Sequence, residues 1–286
     1  MPELFHHQER FFGCLTLRRV RRITSGPDLA AYDALANTLL HRVAFDAEYD
    51  LLIATQAFDA GASARCPALG DDGGCAVHRD RKPAVCRVVP LDALVPDALQ
   101  HQVLAERAQD ALDWGADCIA PGIRAGFEPL TRRLAVVNDS ARQALRAHRE
   151  SLADERRFWG KAVFRVLEDD LFRDAARVRA LPSVGFFALS LAPVLMVIGV
   201  ASERCRRRTL AFLDAQLWLA RRTLERASRD GDPHDDALAR LAAFARTHAE
   251  LRAALAASPP RPTPETPEQR ELEHWLGLPE LGSDPA

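Results

Sequence analysis

From residue 139 to residue 257, apolar side chains recur at steps of three and four almost without a break, which commits this stretch to helices. The clearest segment is 203–228, where Leu210, Leu213, Leu217, Ala220 and Leu224 define one buried stripe. Further helical patterns cover 139–180 and 236–257. Between them, 184–201 carries a polar side chain only at Ser190 and reaches the lower bound of a membrane span. Pro193 falls at its centre, and arginines flank both ends (Arg177, Arg179; Arg204, Arg206, Arg207, Arg208), so no charge asymmetry orients it in a bilayer. It is expected to be a core helix, broken or kinked at Pro193, without membrane contact. With 48% hydrophobic residues, the 286-residue chain has ample material for a core.

The first half is more varied. A helix is expected from Pro27 and Asp28 through Leu29, Tyr32, Leu35, Leu39 and Val43, and another over 97–114. Residues 48–58, with Leu51, Leu52 and Ile53, fit strand or helix equally well. The basic run Arg18, Arg19, Arg21, Arg22 reads as a solvated turn. After Ala257 a proline-rich stretch reads as an extended linker, and Leu272, Trp275, Leu276 and Leu278 suit a short docked helix. The expected organisation is therefore 1–130, a cysteine-bearing module with flanking helices; 131–257, a helical bundle; and 258–286, a linker and tail.

Residues 61–90 differ in kind. Gly70, Gly73, Gly74, Pro67, Pro83 and Pro90 accompany Cys66, Cys75 and Cys86 with little periodicity, and Cys118 follows in a turn before Pro121 and Gly122. Such a loop needs something other than its own apolar side chains to hold it. Four thiolates converging on one zinc ion or one iron-sulfur cluster would serve. Between Arg65 and Pro90, five cations face three aspartates, and the net charge of +2 suits thiolates. The competing explanation, buried cysteines acting as small hydrophobes, predicts periodic apolar faces, and these four lie in turn-like sequence. No short two-residue knuckle separates any pair, so the metal's identity stays open, with the loose spacing favouring an iron-sulfur cluster. Cys205, among arginines on a helical pattern, reads as a bystander.

The motifs Cys66-Pro67-Ala68-Leu69, Gly74-Cys75-Ala76-Val77-His78 and Pro83-Ala84-Val85-Cys86-Arg87-Val88-Val89-Pro90 resemble the YkgJ-type cysteine-cluster family. That family is described as a zinc- or iron-chelating domain distantly related to flagellin lysine N-methylase. Its pattern matches at Cys66, Cys75, Cys86, Arg87 and Pro90, with Cys118 standing for a later cysteine near a Pro-Gly turn. The resemblance covers about 61–126. His78 stands where the family has Tyr, the Arg-Pro is spread over Arg81-Lys82-Pro83, and the N-terminal cysteine box is reduced to Gly13-Cys14. It implies metal ligation by Cys66, Cys75, Cys86 and Cys118, with Cys14, His6 or His7 completing or replacing one of them.

Charge narrows the partners. Thirty-eight Lys plus Arg against 40 Asp plus Glu give a net charge of -2, which removes the cationic field of a general nucleic-acid binder. Only Lys82 and Lys161 are lysines, so arginine abundance carries no weight by itself. Six cysteines are too few for a disulfide scaffold, and residues 1–12 lack the apolar run of a secretory signal, so a cytoplasmic setting with reduced thiols is expected. No Gly-x-Gly-x-x-Gly, Gly-x-Ser-x-Gly or His-Glu-x-x-His occurs, and no catalytic constellation emerges. The sequence thus reads as a mainly α protein, an irregular metal-binding cysteine module packed against a helical bundle. The alternatives are a helical interaction protein with vestigial cysteines, peripheral to a membrane through 184–201, and a protein-modifying enzyme by analogy with the methylase relatives. On the leading reading, Cys75→Ser or Cys86→Ser lowers thermal stability far more than Cys205→Ser.

Overall fold

The structure, a computed structural model, describes residues 1–44, 46–58, 68, 72, 74–79, 82–113, 126, 128–172, 174–183, 185–230, 235–257 and 266–278. In chain order these form α1 (Pro2–His6), β1 (Phe12–Arg21), α2 (Leu29–Leu39), β2 (His41–Arg42), β3 (Tyr49–Phe58), α3 (Ala84–Val88) and a 3-10 turn, Asp97–Leu99, leading into α4 (Gln100–Asp113). A small ribbon of β4 (Thr131–Arg132) and β5 (Ala135–Val136) precedes α5 (Asp139–Glu155), a π turn (Arg156–Gly160), α6 (Lys161–Asp170) and α7 (Ala175–Ala180). β6 (Phe187–Ser190), α8 (Ala192–Gly199), α9 (Glu203–Asp230), α10 (Asp235–Ala257) and α11 (Pro267–Trp275) complete it. The protein is mainly helical, as expected, but the helices are arranged about a four-stranded antiparallel sheet of order β2-β3-β1-β6.

The sheet's two faces divide the core. Successive strand side chains alternate sides, and β1 pairs with β3 so that Leu15 faces Thr55 and Leu17 faces Ile53, while Phe12 faces Phe58 and Cys14 faces Gln56. Leu15, Leu17, Leu51 and Ile53 join the largest cluster with Trp159, Val194, Leu195, Ile198 and Phe212. Phe12, Cys14 and Phe58 pack instead on Ala220, Leu241 and Phe244, and Ala54 packs on Tyr32, Leu39, Leu145 and Leu152. The largest cluster takes residues from both sides of position 130, from Met1, Leu4 and Phe5 to Leu251, Leu255 and Leu276.

Two expectations are corrected. Residues 185–201 are not one core helix broken or kinked at Pro193. Phe187–Ser190 pair with Cys14–Leu17 as the edge strand β6, and Pro193 falls in the first turn of α8, where a backbone N–H has no helical partner to lose. Among the described residues no helix is long and apolar enough to cross a membrane. The basic run is the end of β1 rather than a solvated turn. Arg18 donates to the Ser183 carbonyl at 3.2 Å, the Arg19 guanidinium lies 4.8 Å from the Tyr49 ring centre, and Arg22 pairs with buried Asp50 at 2.9 Å. The ambiguous 48–58 segment is β3, and the tail forms α11.

Candidate metal site

The described part of the cysteine segment is docked on the core rather than held by a fold of its own. Ala68 and Val77 are buried in the largest cluster, and Cys75 packs against it, half-buried. The Ala76 N–H donates to the Ala68 carbonyl at 2.7 Å, and the His78 N–H to the Cys75 carbonyl at 3.0 Å, which fixes the turn that carries Cys75. Asp72 closes its other side, its Oδ1 accepting the Gly74 N–H at 2.8 Å. Downstream, Pro83 starts α3, and the Ala84 N–H donates to Glu3 Oε1 at 2.7 Å. Glu3 thus ties α1 to the short helix that presents Cys86, an exposed residue. Eighty-one positions separate Glu3 from Ala84, so no sequence signal announces this clamp.

The candidate ligands are unequally placed. Cys66 and Cys118 lie outside the described residues. Cys14 is fully buried in β1, and strand alternation points it to the Phe12 and Phe58 face, opposite the face on which Cys75 packs. Burial pushes its thiol up to about 12, because a thiolate there would be stripped of water. Cys14 and Cys75 thus pack in different clusters. His7 is buried at the end of α1, edge-on to Phe11 at 5.4 Å and to His6 at 4.6 Å. Cys205 is also fully buried, its thiol pushed up by burial. Among the described residues no three His, Cys, Asp or Glu side chains gather as a metal-binding group.

Two cavities lie elsewhere. A polar cleft of about 520 Å³ is lined by His6, His7, Glu9 and Arg10 and by Trp218 and Arg222 of α9. An apolar groove of about 600 Å³ runs between α2 and α5, past Leu35, Leu39 and Ala153. Its one guanidinium, that of Arg149, is committed to the Ala93 carbonyl at 3.0 Å, the Val95 carbonyl at 2.8 Å and Asp97 at 2.7 Å, leaving the groove little polar chemistry for orienting a ligand. No family model, no curated protein and no solved structure matches this chain.

Proposed function

We propose that the protein binds a metal, an iron-sulfur cluster or a zinc ion, through Cys66, Cys75, Cys86 and Cys118, in a structural or redox role. The observation that carries the reading is the contrast among the described cysteines. Cys14 and Cys205 are fully buried on periodic elements, where cysteine serves as a small hydrophobe. Cys75, half-buried at the margin of the largest cluster, and Cys86, exposed, sit on a turn and a five-residue helix rather than on a periodic apolar face. A soft four-thiolate set suits zinc or an iron-sulfur cluster, and either supplies the cross-link that a glycine- and proline-rich segment needs. The resemblance to the YkgJ-type family points the same way. Cys14 is left out of the set because of its place on the opposite sheet face.

The test is purification under anaerobic conditions followed by metal and sulfide analysis and absorption spectroscopy. Iron with inorganic sulfide and visible charge-transfer bands identifies a cluster, and stoichiometric zinc in a colourless protein identifies a structural site. Protein that retains neither, and binds neither when they are supplied under reducing conditions, defeats the reading. Cys75→Ser and Cys86→Ser are each expected to lose most of the bound metal, whereas Cys14→Ser retains it.

A further inference from the structure

Helix α11 is defined at both ends by its own residues. Thr266 Oγ1 accepts the Gln269 N–H at 3.3 Å while Gln269 Oε1 accepts the Thr266 N–H at 2.8 Å. At the other end, Gly277 adopts φ 69° and the Leu278 N–H closes back on the Glu273 carbonyl at 3.0 Å. Among the described residues, this helix contacts the rest of the chain through its side chains. Leu272 and Leu276 are buried in the largest cluster, and the Trp275 ring stacks on Phe158 at 4.9 Å. Glu273, only 3% exposed, takes hydrogen bonds from Ser202 and Arg204; Glu271 pairs with Arg157, and Gln269 donates to the Ala201 carbonyl. The receiving surface therefore reads a specific pattern, Leu-Glu-x-Trp-Leu on one helical face, with Arg204 selecting the acid.

In sequence, α11 is attached through residues 258–265, which carry Pro259, Pro260, Pro262 and Pro264. The groups the groove contacts all lie within α11 itself, so the same helix on another chain offers the same groups. We propose that this groove is a helix-recognition surface whose partner in trans is α11 of a second copy, exchanged between two chains. The contacts are identical in cis and in trans, so concentration decides. A short tether holds its helix at an effective concentration of about millimolar. Exchange then appears as the protein approaches that range, or when the resident helix is loosened. This proposal does not depend on the metal reading.

A fluorescent peptide spanning 266–278 tests it against the full chain. Weak binding at one peptide per chain is expected. Full chain bearing Glu273→Arg, whose own helix no longer pairs with Arg204, is expected to bind the native peptide about tenfold or more tightly, and a Glu273→Arg peptide is expected to bind neither. Should the Glu273→Arg chain lose its cooperative melt, Trp275→Ala loosens the same helix and is read identically. Native peptide that fails to bind the loosened chain, or a Glu273→Arg peptide that binds as well as the native one, overturns the proposal. Light scattering at rising concentration supplies the second readout: a dimer that excess peptide dissociates supports exchange, and a dimer indifferent to peptide, or a monomer persisting at millimolar concentration, overturns it.

Discussion

Two buried histidines are expected to contribute to how this protein responds to acid. His248 is wholly buried on α10, its ring stacked on Phe12 at 5.3 Å, with neither ring nitrogen hydrogen-bonded among the described residues. Burial lowers its pKa to about 4. His41, stacked on Phe164 at 4.8 Å, is lowered to about 3 by burial first and then by the nearby Arg156 and Lys161. Both folded values lie below the unfolded value of about 6.5, so the unfolded chain binds the extra protons. Their contribution is complete above pH 6.5 and is lost as the pH falls toward the folded values, by roughly 2 kcal/mol for His248 at pH 5. His248→Leu is expected to flatten the fall in melting temperature between pH 7 and 4.5; an unchanged slope would show that His248 is not among the groups that titrate. The cysteines divide along the same line of burial. Cys14→Ser places a hydroxyl in an apolar interior at about 1–3 kcal/mol, whereas Cys205→Ser puts it beside Ser202, a hydrogen-bonding partner, so thermal stability alone does not separate Cys14 from Cys75 and Cys86. Bound metal per chain is the measurement that does.

At the scale of elements, what the chain does at 184–201 turns on partners far away in sequence. β6 exists because Cys14–Leu17 are there to pair with it, and α8 begins only after Ser190 Oγ accepts the Ala192 N–H at 3.3 Å. With Pro193 in the first turn of α8, Pro193→Ala is expected to change stability by less than about 1 kcal/mol in chemical denaturation. A proline kinking a helix interior would instead cost about 3 kcal/mol, and its removal would stabilise by a similar amount. Beyond the apolar packing of α9 on β1, one α9 side chain hydrogen-bonds the start of β1 and the turn before it. Gln216 accepts the Gly13 N–H at 2.7 Å and donates to the Gln8 and Phe11 carbonyls at 2.8 and 2.9 Å, wholly buried. Gln216→Leu leaves these backbone groups without that partner and is expected to destabilise by about 2 kcal/mol or more in the same experiment. Periodicity located α9, and Leu213 and Ala220 of its stripe are buried, but Leu217 is only half-buried and the deepest line runs through Phe212 and Gln216 instead. Periodicity was silent on Gln216, because a polar residue on an apolar stripe declares no partner until the opposing backbone is in place.

Across the whole molecule, the expected boundary at residue 130 does not separate two cores. Met1, Leu4, Phe5, Leu15 and Leu17 share one cluster with Val194, Leu195, Ile198, Phe212 and Leu276. Urea unfolding followed by tryptophan fluorescence and by far-ultraviolet circular dichroism is expected to give one coincident transition; two separated midpoints would show that the halves unfold independently. The amino-acid sequence by itself determined the helical character of the second half, the helical pattern of α11 with Leu272, Trp275 and Leu276 on its apolar side, and the contrast between a periodic Cys205 and the turn-borne Cys75, because each of these depends on neighbours within a few positions. Only the tertiary structure decided that β1 and β3 form a central sheet with β6 at its edge, that Cys14 and Cys75 pack in different clusters, and that Glu3 clamps the helix carrying Cys86. Those outcomes require contacts across tens to hundreds of residues, such as Gly13 with Gln216 and Glu3 with Ala84. A local pattern of polarity tells a residue to be buried but not against what.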